Sequence, residues 1–212
     1  DVPTQLQSTC AWDNFTSENG CYSPQNFDEK FRGPIKLRNA IAESRNVPSV
    51  KVLYLAGIKD SLQTAADLGI TSLSGADQYG LTLVLGGAQV SLLDLTSAYG
   101  VFANDGIRNP TVSILEIADG DGSPLETYTP LPQQALDPAI ARKISDILSD
   151  NDARAPEFGT DSPLHFPGRD VAAKTGTTND YRDVWTVGYS PDIVVGVWGG
   201  NNDNTPIEKQ IA

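Results

Sequence analysis

The pattern of hydrophobic and polar residues changes from irregular to helical near residue 35. Residues 1–34 lack periodicity, are rich in Asn, Ser, Gly and Pro, and are predicted to form an extended loop region. Apolar spacing then fits a helix that ends near residue 43, and a second helix is expected over 50–55. Pro48 lies between them, and because its fixed φ disfavours helix in the preceding residue, Val47 is expected outside both helices.

Three further patterns follow in the middle of the chain. Apolar residues at helical spacing over 62–68 predict a third helix, which Gly69 ends. The tetrapeptide Ser91-Leu92-Leu93-Asp94 has the form of a capping box and predicts a helix that ends at Asn104-Asp105-Gly106. A hairpin is expected next, with strands over 112–117 and 125–128 joined by an Asp-Gly-Asp-Gly turn.

The last third of the chain combines one helix with three strands. Asp137-Pro138 is a typical helix start, with Asp as the N-cap and Pro in the first turn, and apolar residues line one face as far as Leu148. After a loop rich in Pro and Gly, strands are predicted over 171–177, 184–189 and 193–198. Helices followed by an antiparallel sheet indicate an α+β fold with a helical layer against the strands.

Composition narrows the class of protein. Of the 212 residues, 39% are hydrophobic and 20% charged, which is typical of a globular chain. The net charge of −12 disfavours nucleic acid and anionic membrane as partners. Met is absent even at position 1, so we expect a processed or excised piece of a longer protein, and no apolar run is long enough to span a membrane.

Cysteine and histidine are too few for a metal centre. Cys10 and Cys21 lie in a polar segment at a spacing that suits a local disulfide, with two free thiols as the alternative. His165 is the single histidine and is expected in a loop. We therefore expect neither zinc nor another cofactor, and a Ser-His-Asp triad is disfavoured.

The most informative segment is the stretch over 171–177, where an apolar strand runs into Lys174-Thr175-Gly176-Thr177. This stretch places a cation, hydroxyl groups and an open backbone edge side by side. An acyl-transfer site needs this combination to hold a substrate carboxylate and a developing oxyanion. A surface turn is the alternative, but the preceding strand and the following polar loop favour a functional site.

A Ser-x-Asn tripeptide accompanies Lys-Thr-Gly in penicillin-recognising serine enzymes, and this sequence contains three. Ser17-Glu18-Asn19 lies in the loop between the cysteines and is interpreted as incidental. Ser149-Asp150-Asn151 ends an amphipathic helix shortly before the Lys-Thr-Gly strand, and we interpret it as a helix stop. Ser44-Arg45-Asn46 follows a helix and leaves a long helical insertion before Lys174. We therefore expect Ser44 and Asn46 to form a catalytic site with Lys174.

Several separate blocks resemble the transpeptidase domain of class A (bifunctional) penicillin-binding proteins. The blocks span nearly the whole chain and comprise residues 22–28, 33–48, 85–99, 172–179 and 196–203. The resemblance implies the α+β fold of this family and of the serine β-lactamases, an antiparallel sheet flanked by helices. It also implies a single transpeptidase domain, with 1–34 as a loop-rich lead-in, 35–150 as the mainly helical part and 171–200 as the sheet.

The resemblance also implies roles for the catalytic residues. Ser44 would relay protons between the nucleophile and the leaving amine, and Asn46 would hydrogen-bond the acyl amide of the substrate. Lys174 would supply positive potential beside Ser44 and for the substrate carboxylate. The implied reaction is the cross-linking of peptidoglycan stem peptides through an acyl-serine intermediate.

The rest of the Lys-Thr-Gly-Thr segment is implied to bind substrate. The hydroxyls of Thr175 and Thr177 would hold the substrate carboxylate, and Gly176 would let the substrate backbone lie close to the strand. The backbone N–H of Thr177 would form half of the oxyanion hole. The implied ligands are stem peptides ending in D-Ala-D-Ala and β-lactam antibiotics.

One element of the family pattern is missing. No Ser-x-x-Lys occurs in the 212 residues, so we expect the nucleophile just before Asp1 in the parent protein, and this chain to be the C-terminal part of the domain, incomplete at its N-terminus and inactive alone. A stable sample is expected to contain the missing segment as a second chain. The parent is expected to be extracytoplasmic, anchored by an N-terminal transmembrane helix outside this sequence.

Two other functions stay open. A β-lactamase of class A needs a Glu-x-x-x-Asn loop for deacylation, and no Glu in this chain has Asn four residues later. A non-catalytic penicillin-binding or sensor module is favoured for the chain alone by the missing Ser-x-x-Lys. The complete set of Ser44, Asn46 and Lys174 argues against a sensor for the parent protein.

Overall fold

The computed structural model describes residues 1–6, 21–73 and 75–207. Six α-helices lie within these ranges: α1 (Leu37–Ala42), α2 (Asn46–Ala56), α3 (Ile58–Asp67), α4 (Leu92–Ala103), α5 (Pro138–Ser149) and α6 (Asn151–Phe158). The strands of the same ranges are β1 (Ile107–Arg108), β2 (Glu116–Ala118), β3 (Pro124–Thr127), β4 (Gln133–Gln134), β5 (Ala172–Thr177), β6 (Asp183–Ser190) and β7 (Ile193–Gly200). The predicted α+β class is confirmed.

The main sheet is antiparallel, with the strand order β5-β6-β7. Ala172 lies opposite Tyr189 across β5 and β6, and Ser190 lies opposite Ile193 across the tight turn between β6 and β7. The hairpin β2–β3 and the pair β1–β4 form separate two-stranded sheets. Among the described residues, β5 and β7 are therefore the edges of the main sheet.

Helices cover one face of this sheet. α4 packs on β6 and β7, α5 packs on β5, and α1 lies against α5 and α6. Gly196 permits the close approach of α4, because a Cβ at this position would lie 1.9 Å from Thr96 Oγ1. Alternate residues of a strand point to opposite faces, and Ile193, Val195 and Val197 on the other face of β7 are 62%, 48% and 56% exposed.

The core lies between the sheet and the helical layer. One buried cluster consists of Ala42, Ile147 and Ala153, and a second consists of Leu148, Ala172 and Tyr189. Ile41 packs against both clusters. The last turn of α1 is therefore fixed to the sheet through packing, and the residues that follow it start from a rigid base.

Most predicted helices and strands are confirmed, but the expectation that Pro48 separates the two helices, with Val47 outside both, is wrong. α2 begins at Asn46, so Val47 and Pro48 are both helical. Pro48 lies in the first turn, where backbone N–H groups have no partner within the helix, so the missing proline N–H costs nothing there.

Two other boundaries differ from the sequence-based expectation. The stretch over 149–151 is not only a helix stop, since the Asp150 carboxylate accepts the Ala153 N–H at 2.8 Å and begins α6. This helix was not predicted, because its run of mixed polar residues and the internal Pro156 give no clear apolar face. The first strand of the hairpin is also shorter than predicted, Glu116–Ala118 instead of 112–117.

The remaining expectations concern the cysteines, the first Ser-x-Asn tripeptide, membrane spans and metal sites. Cys21 is buried and disulfide-bonded, while Cys10 and the Ser17-Glu18-Asn19 tripeptide lie outside the described residues. In the described ranges no helix combines the length and apolar character needed to cross a bilayer. Those same ranges contain no group of His, Cys, Asp and Glu that could hold a metal ion.

Candidate active site

Lys174 lies in the middle of the edge strand β5. Strand alternation places it on the same face as Ala172, which is 4% exposed and packs in the core against Leu148 and Tyr189. The Lys174 side chain therefore belongs to the face of the sheet that the helices cover. A long cationic side chain on such a face has to reach a polar group among the helices.

Ser44 occupies the turn between α1 and α2. Its N–H donates to Ile41 O at 3.1 Å, and the next N–H, of Arg45, donates to Ala40 O at 2.8 Å. This pair of hydrogen bonds is a Schellman motif with Ser44 at the C′ position, which is usually glycine because its φ is positive. The φ of Ser44 is 57°. A non-glycine residue in this region costs about 1–2 kcal/mol, so the fold maintains a strained residue at the predicted site.

The structure brings the two predicted motifs together. Lys174 Nζ donates to Ser44 Oγ at 2.6 Å and to the carbonyl oxygen of Thr175 at 2.7 Å. Ser44 and Lys174 are 130 residues apart in the chain. The contact therefore forms only when the helical part and the sheet pack in this arrangement.

The Lys174 ammonium is held in an unfavourable environment. Burial lowers its pKa to about 8. Its two hydrogen-bond acceptors, the Ser44 hydroxyl and the Thr175 carbonyl, are neutral, so no anion offsets burial in these contacts. An amine of this pKa is roughly nine-tenths protonated at pH 7, yet close enough to neutrality to exchange protons readily. A partly buried lysine of lowered pKa beside a hydroxyl group is a candidate functional site.

Asn46 is the first residue of α2 and presents its amide near the same turn. Its Nδ2 donates to the carbonyl oxygen of Gln25 at 3.0 Å. The neighbouring Asn26 is 3% exposed, and its Oδ1 accepts the Val47 N–H at 3.2 Å. The loop over 25–26 therefore fixes both the Asn46 side chain and the start of α2.

The substrate-binding candidates follow along β5. Thr175 and Thr177 are partly buried and alternate to the face opposite Lys174, while Gly176 is exposed. Gly176 lies opposite Trp185 on β6. Because β5 is an edge of the described sheet, one row of its backbone groups has no described strand beside it. An extended ligand backbone can pair with such an edge.

The second Ser-x-Asn tripeptide of the described chain has a structural role. Asp150 caps α6 and accepts a hydrogen bond from Arg38 Nη1 at 2.8 Å, and Asn151 donates to Thr160 O at 3.0 Å. Ser149 is the last residue of α5. None of these contacts reaches Lys174, which supports the choice of Ser44 over Ser149.

Sequence reasoning missed two buried polar residues around the site, Asn26 and Arg45. Each is 3% or less exposed; Arg45 links the turn after α1 to Asp1, and Asn26 links the loop before α1 to the start of α2. Asn26 lies in the segment over 22–28, one of the segments that resemble the family, but the resemblance assigns no role to Asn26. The only sequence signal was a polar side chain at each of these positions.

Comparison with known proteins gives a consistent result. The family described as "Penicillin binding protein transpeptidase domain" matches residues 7–209. "Penicillin-binding protein 1A" of Aquifex aeolicus is 36% identical over 190 residues, covering 89% of this chain and 25% of the relative. "Penicillin-binding protein 1A/1B" of Bacillus subtilis is 33% identical over 205 residues, covering 89% of this chain and 22% of the relative. The chain thus spans about a quarter of the length of these relatives.

Solved structures show the same fold. Penicillin-binding protein 1A from Haemophilus influenzae superposes with a TM-score of 0.78 at 23% identity, over 96% of this chain and 34% of that one. The PonA1 protein from Mycobacterium tuberculosis in complex with penicillin V superposes with a TM-score of 0.74 at 25% identity, over 89% of this chain and 54% of that one.

Proposed function

Because this chain belongs to the transpeptidase family of penicillin-binding proteins, we propose that it forms most of the acyl-transfer site of a peptidoglycan D,D-transpeptidase. The hydrogen bond between Lys174 and Ser44 carries the proposal, because it joins two motifs that are 130 residues apart at a single point. Stem peptides ending in D-Ala-D-Ala are the proposed substrates, and β-lactam antibiotics the proposed inhibitors. The solved complex of PonA1 with penicillin V supports the choice of inhibitor.

The proposed reaction needs a serine from outside these 212 residues, since the sequence contains no Ser-x-x-Lys. This serine hydroxyl attacks the carbonyl of the penultimate D-Ala, and the C–N bond to the terminal D-Ala breaks. The proton from the serine passes through the Ser44 hydroxyl to the leaving amine, because a hydroxyl group both accepts and donates a proton. An amine of a neighbouring stem peptide then attacks the ester carbonyl, the ester C–O bond breaks, and one proton of the amine passes to the serine oxygen, which restores the hydroxyl.

Lys174 acts in this proposal as a fixed positive charge. Its ammonium donates to Ser44 Oγ in a partly buried position, so its field on the reacting atoms is less screened than that of an exposed lysine. This field favours the oxyanion that develops during the attack and attracts the terminal carboxylate of the substrate. Asn46 hydrogen-bonds the acyl amide of the donor peptide, from its fixed place at the start of α2.

The edge of β5 forms the binding surface of the proposed site. The hydroxyls of Thr175 and Thr177 hold the substrate carboxylate, and the missing side chain of Gly176 leaves room for the peptide backbone. The Thr177 N–H contributes half of the oxyanion hole, and the N–H of the nucleophilic serine contributes the other half. The exposed edge of the described sheet supports this arrangement.

The nucleophile-bearing segment is the proposed partner of this chain. It is either continuous with the chain in the parent protein or bound as a second chain, and in both cases it completes one transpeptidase domain. Intact-mass measurement of a stable preparation distinguishes the two arrangements. Peptidoglycan lies outside the cytoplasmic membrane, so the proposed location is the extracytoplasmic face.

A β-lactamase and a sensor remain the other candidate functions. A β-lactamase has to activate a water molecule for deacylation, and the chain lacks the Glu-x-x-x-Asn pattern for this step. A sensor needs no proton-transfer group, yet the structure maintains a strained Ser44 against a lysine of lowered pKa. Both observations favour the transpeptidase.

Labelling of the full-length protein with a fluorescent penicillin tests the proposal. Wild type is expected to form an adduct that survives denaturing electrophoresis. Lys174→Ala is expected to lower the acylation rate at least about 100-fold, the usual effect of removing a charged or hydrogen-bonding group from an acyl-transfer site. Lys143→Ala, on an exposed position of α5, is the matched control and should label normally.

Three results would contradict the proposal in different ways. Normal labelling of Lys174→Ala would remove the role given to this lysine. Rapid hydrolysis of nitrocefin with no lasting adduct would identify a β-lactamase. A folded full-length protein that binds penicillin reversibly and never forms an adduct would identify a sensor.

A further inference from the structure

Arg45 lies between the two proposed catalytic residues of the Ser-x-Asn motif but does not contact Lys174 in the structure. Its side chain is 2% exposed and is enclosed by three carboxylates. Nε donates to Asp1 Oδ2 at 3.1 Å, while Nη1 lies 2.9 Å from Asp28 Oδ2 and 3.4 Å from Glu157 Oε2. We call Arg45 and these three acidic residues the Arg45 cluster.

The cluster connects three distant parts of the chain. Asp1 and Asp28 belong to the loop region before α1, Glu157 lies in α6, and Arg45 lies in the turn between α1 and α2. All three nitrogens of the guanidinium group are used, since Nη2 donates to the carbonyl oxygen of Lys30. A planar group with this many fixed acceptors has a single orientation.

Asn26 extends the same network to the start of α2. Its Nδ2 donates to Asp1 Oδ1 and to Lys30 O, both at 2.7 Å, while its Oδ1 accepts the Val47 N–H. Arg45 and Val47 are therefore held by the same loop on either side of Asn46. The backbone of the motif is fixed before Ser44 by the hydrogen bonds of α1, and after it by this network.

The strained backbone of Ser44 needs support from surrounding residues, and this network can supply it. A serine with φ of 57° stays in place only where its surroundings determine it, and backbone strain of this kind is concentrated at functional sites. The 2.6 Å contact with Lys174 depends on that backbone conformation, because a rotation of the turn would move Ser44 Oγ away from β5.

We propose that Arg45 is a positioning residue: the Arg45 cluster locks the turn between α1 and α2 so that Ser44 Oγ stays on Lys174 Nζ. The proposal rests on the transpeptidase function argued above. It assigns Arg45 no contact with substrate. Burial alone would raise the pKa of the Asp28 carboxyl. The hydrogen bond and charge of Arg45, the Lys30 N–H and the charge of Arg32 nevertheless keep this pKa below its ordinary value, so Asp28 is a carboxylate that binds Arg45 firmly.

The test compares Arg45→Lys with Arg154→Lys in the full-length protein. Both substitutions keep the positive charge and remove the planar fork. Arg154 is as buried as Arg45, 3% against 2%, but within the described ranges its side-chain hydrogen bonds go to the backbone carbonyls of Leu148 and Leu164 and to no carboxylate. A general packing defect therefore affects both variants, and a positioning defect affects one.

The rate of acylation by a fluorescent penicillin is the first measurement. The acylation rate of Arg45→Lys is expected to fall about tenfold or more, whereas that of Arg154→Lys should fall less than about twofold. The Tm values of the two variants should agree within about 5 °C. Equal losses in the two variants, or normal acylation of Arg45→Lys, would overturn the proposal. If Arg45→Lys does not fold, Asp28→Asn replaces it, since this variant keeps the shape of the cluster and removes one charge.

The pKa of the Lys174 amine, followed by ¹⁵N NMR, is the second measurement and does not depend on acylation. Arg45→Lys leaves the total charge unchanged, so the pKa should rise from about 8 toward its ordinary value of 10.5 only if the turn relaxes and water reaches the amine. In Asp28→Asn the loss of a negative charge alone could only lower this pKa, so a rise again reports relaxation. An unchanged pKa in both variants would refute positioning, whereas an unlabelled wild type would instead refute the transpeptidase function.

Discussion

Replacing Lys174 with methionine should increase the stability of the protein at neutral pH. The fold lowers the pKa of this amine from an ordinary value of 10.5 to about 8, because burial disfavours the charged form. That difference corresponds to about 3 kcal/mol of unfavourable free energy in the folded state when the amine is protonated. Methionine fills a similar volume and carries no charge, so the variant does not have this cost.

The cost depends on pH in a defined direction. Below pH 8 the amine is protonated in both states and the full penalty applies, whereas above 10.5 it is neutral in both and the penalty disappears. Between these values the unfolded state binds more protons, so the stability of wild type rises with pH relative to the variant. The lost hydrogen bonds to Ser44 and Thr175 cost the variant about 1–2 kcal/mol at every pH. The expected net gain of Lys174→Met at pH 7 is therefore about 1–2 kcal/mol.

Guanidinium unfolding of wild type and Lys174→Met at pH 7 and near pH 11 measures both quantities. The difference in free energy of unfolding between the two proteins should change by about 3 kcal/mol across this interval, in favour of wild type at high pH. Other lysines and tyrosines that titrate in this range are common to both proteins and cancel. A difference that is constant with pH would show that the amine is not destabilised in the folded state, and the electrostatic role proposed for Lys174 would lose its basis.

Three other outcomes are expected. Gly196→Ala should cost at least about 2 kcal/mol of stability and lower the Tm by several degrees, because the new Cβ would overlap Thr96 Oγ1. The control Gly120→Ala should leave the Tm unchanged, because nothing lies within 4 Å of its Cβ. Equal Tm values for both variants would contradict the packing of α4 on β7. Asp150→Ala should lose about 1–2 kcal/mol in urea unfolding, and Asp150→Asn clearly less, because asparagine keeps the N-cap of α6; identical losses would assign the effect to charge. Burial and the neighbouring Tyr189 raise the pKa of the Tyr99 hydroxyl to about 12, so Tyr99→Phe should remove the most alkaline component of the ultraviolet titration, and its survival in the variant would show that another tyrosine is responsible.

The elements with strong periodicity were predictable from the sequence, and so was the central contact of the site. An apolar strand that runs into Lys174 and a helix that ends before Ser44 are both local patterns. The choice of Ser44 over Ser149 followed from the length of chain between each serine and the strand. These inferences use the spacing of residue types along the chain together with the known pairing of Ser-x-Asn and Lys-Thr-Gly motifs in penicillin-recognising enzymes.

The support around the site was not predictable for a physical reason. Arg45 contacts residues 1, 28 and 157, and side-chain contacts between distant segments leave no periodic signal. The left-handed conformation of Ser44 was also hidden, because glycine is the residue that normally indicates it. The only sign of strain in the sequence was that the short connection between α1 and α2 contains no glycine. Helix propensity did not predict α6 either, because the start of this helix depends on a single carboxylate, that of Asp150.

The outer face of β7 has a consequence for handling the protein. Ile193, Val195 and Val197 project into solvent beside a row of backbone amides that no described strand covers. Such a combination is a template for adding identical strands from other molecules, which is how fibrils grow. In a preparation of these 212 residues without the nucleophile-bearing segment, self-association at high concentration should therefore begin at this edge, and Val195→Lys would keep neighbouring copies apart through charge repulsion.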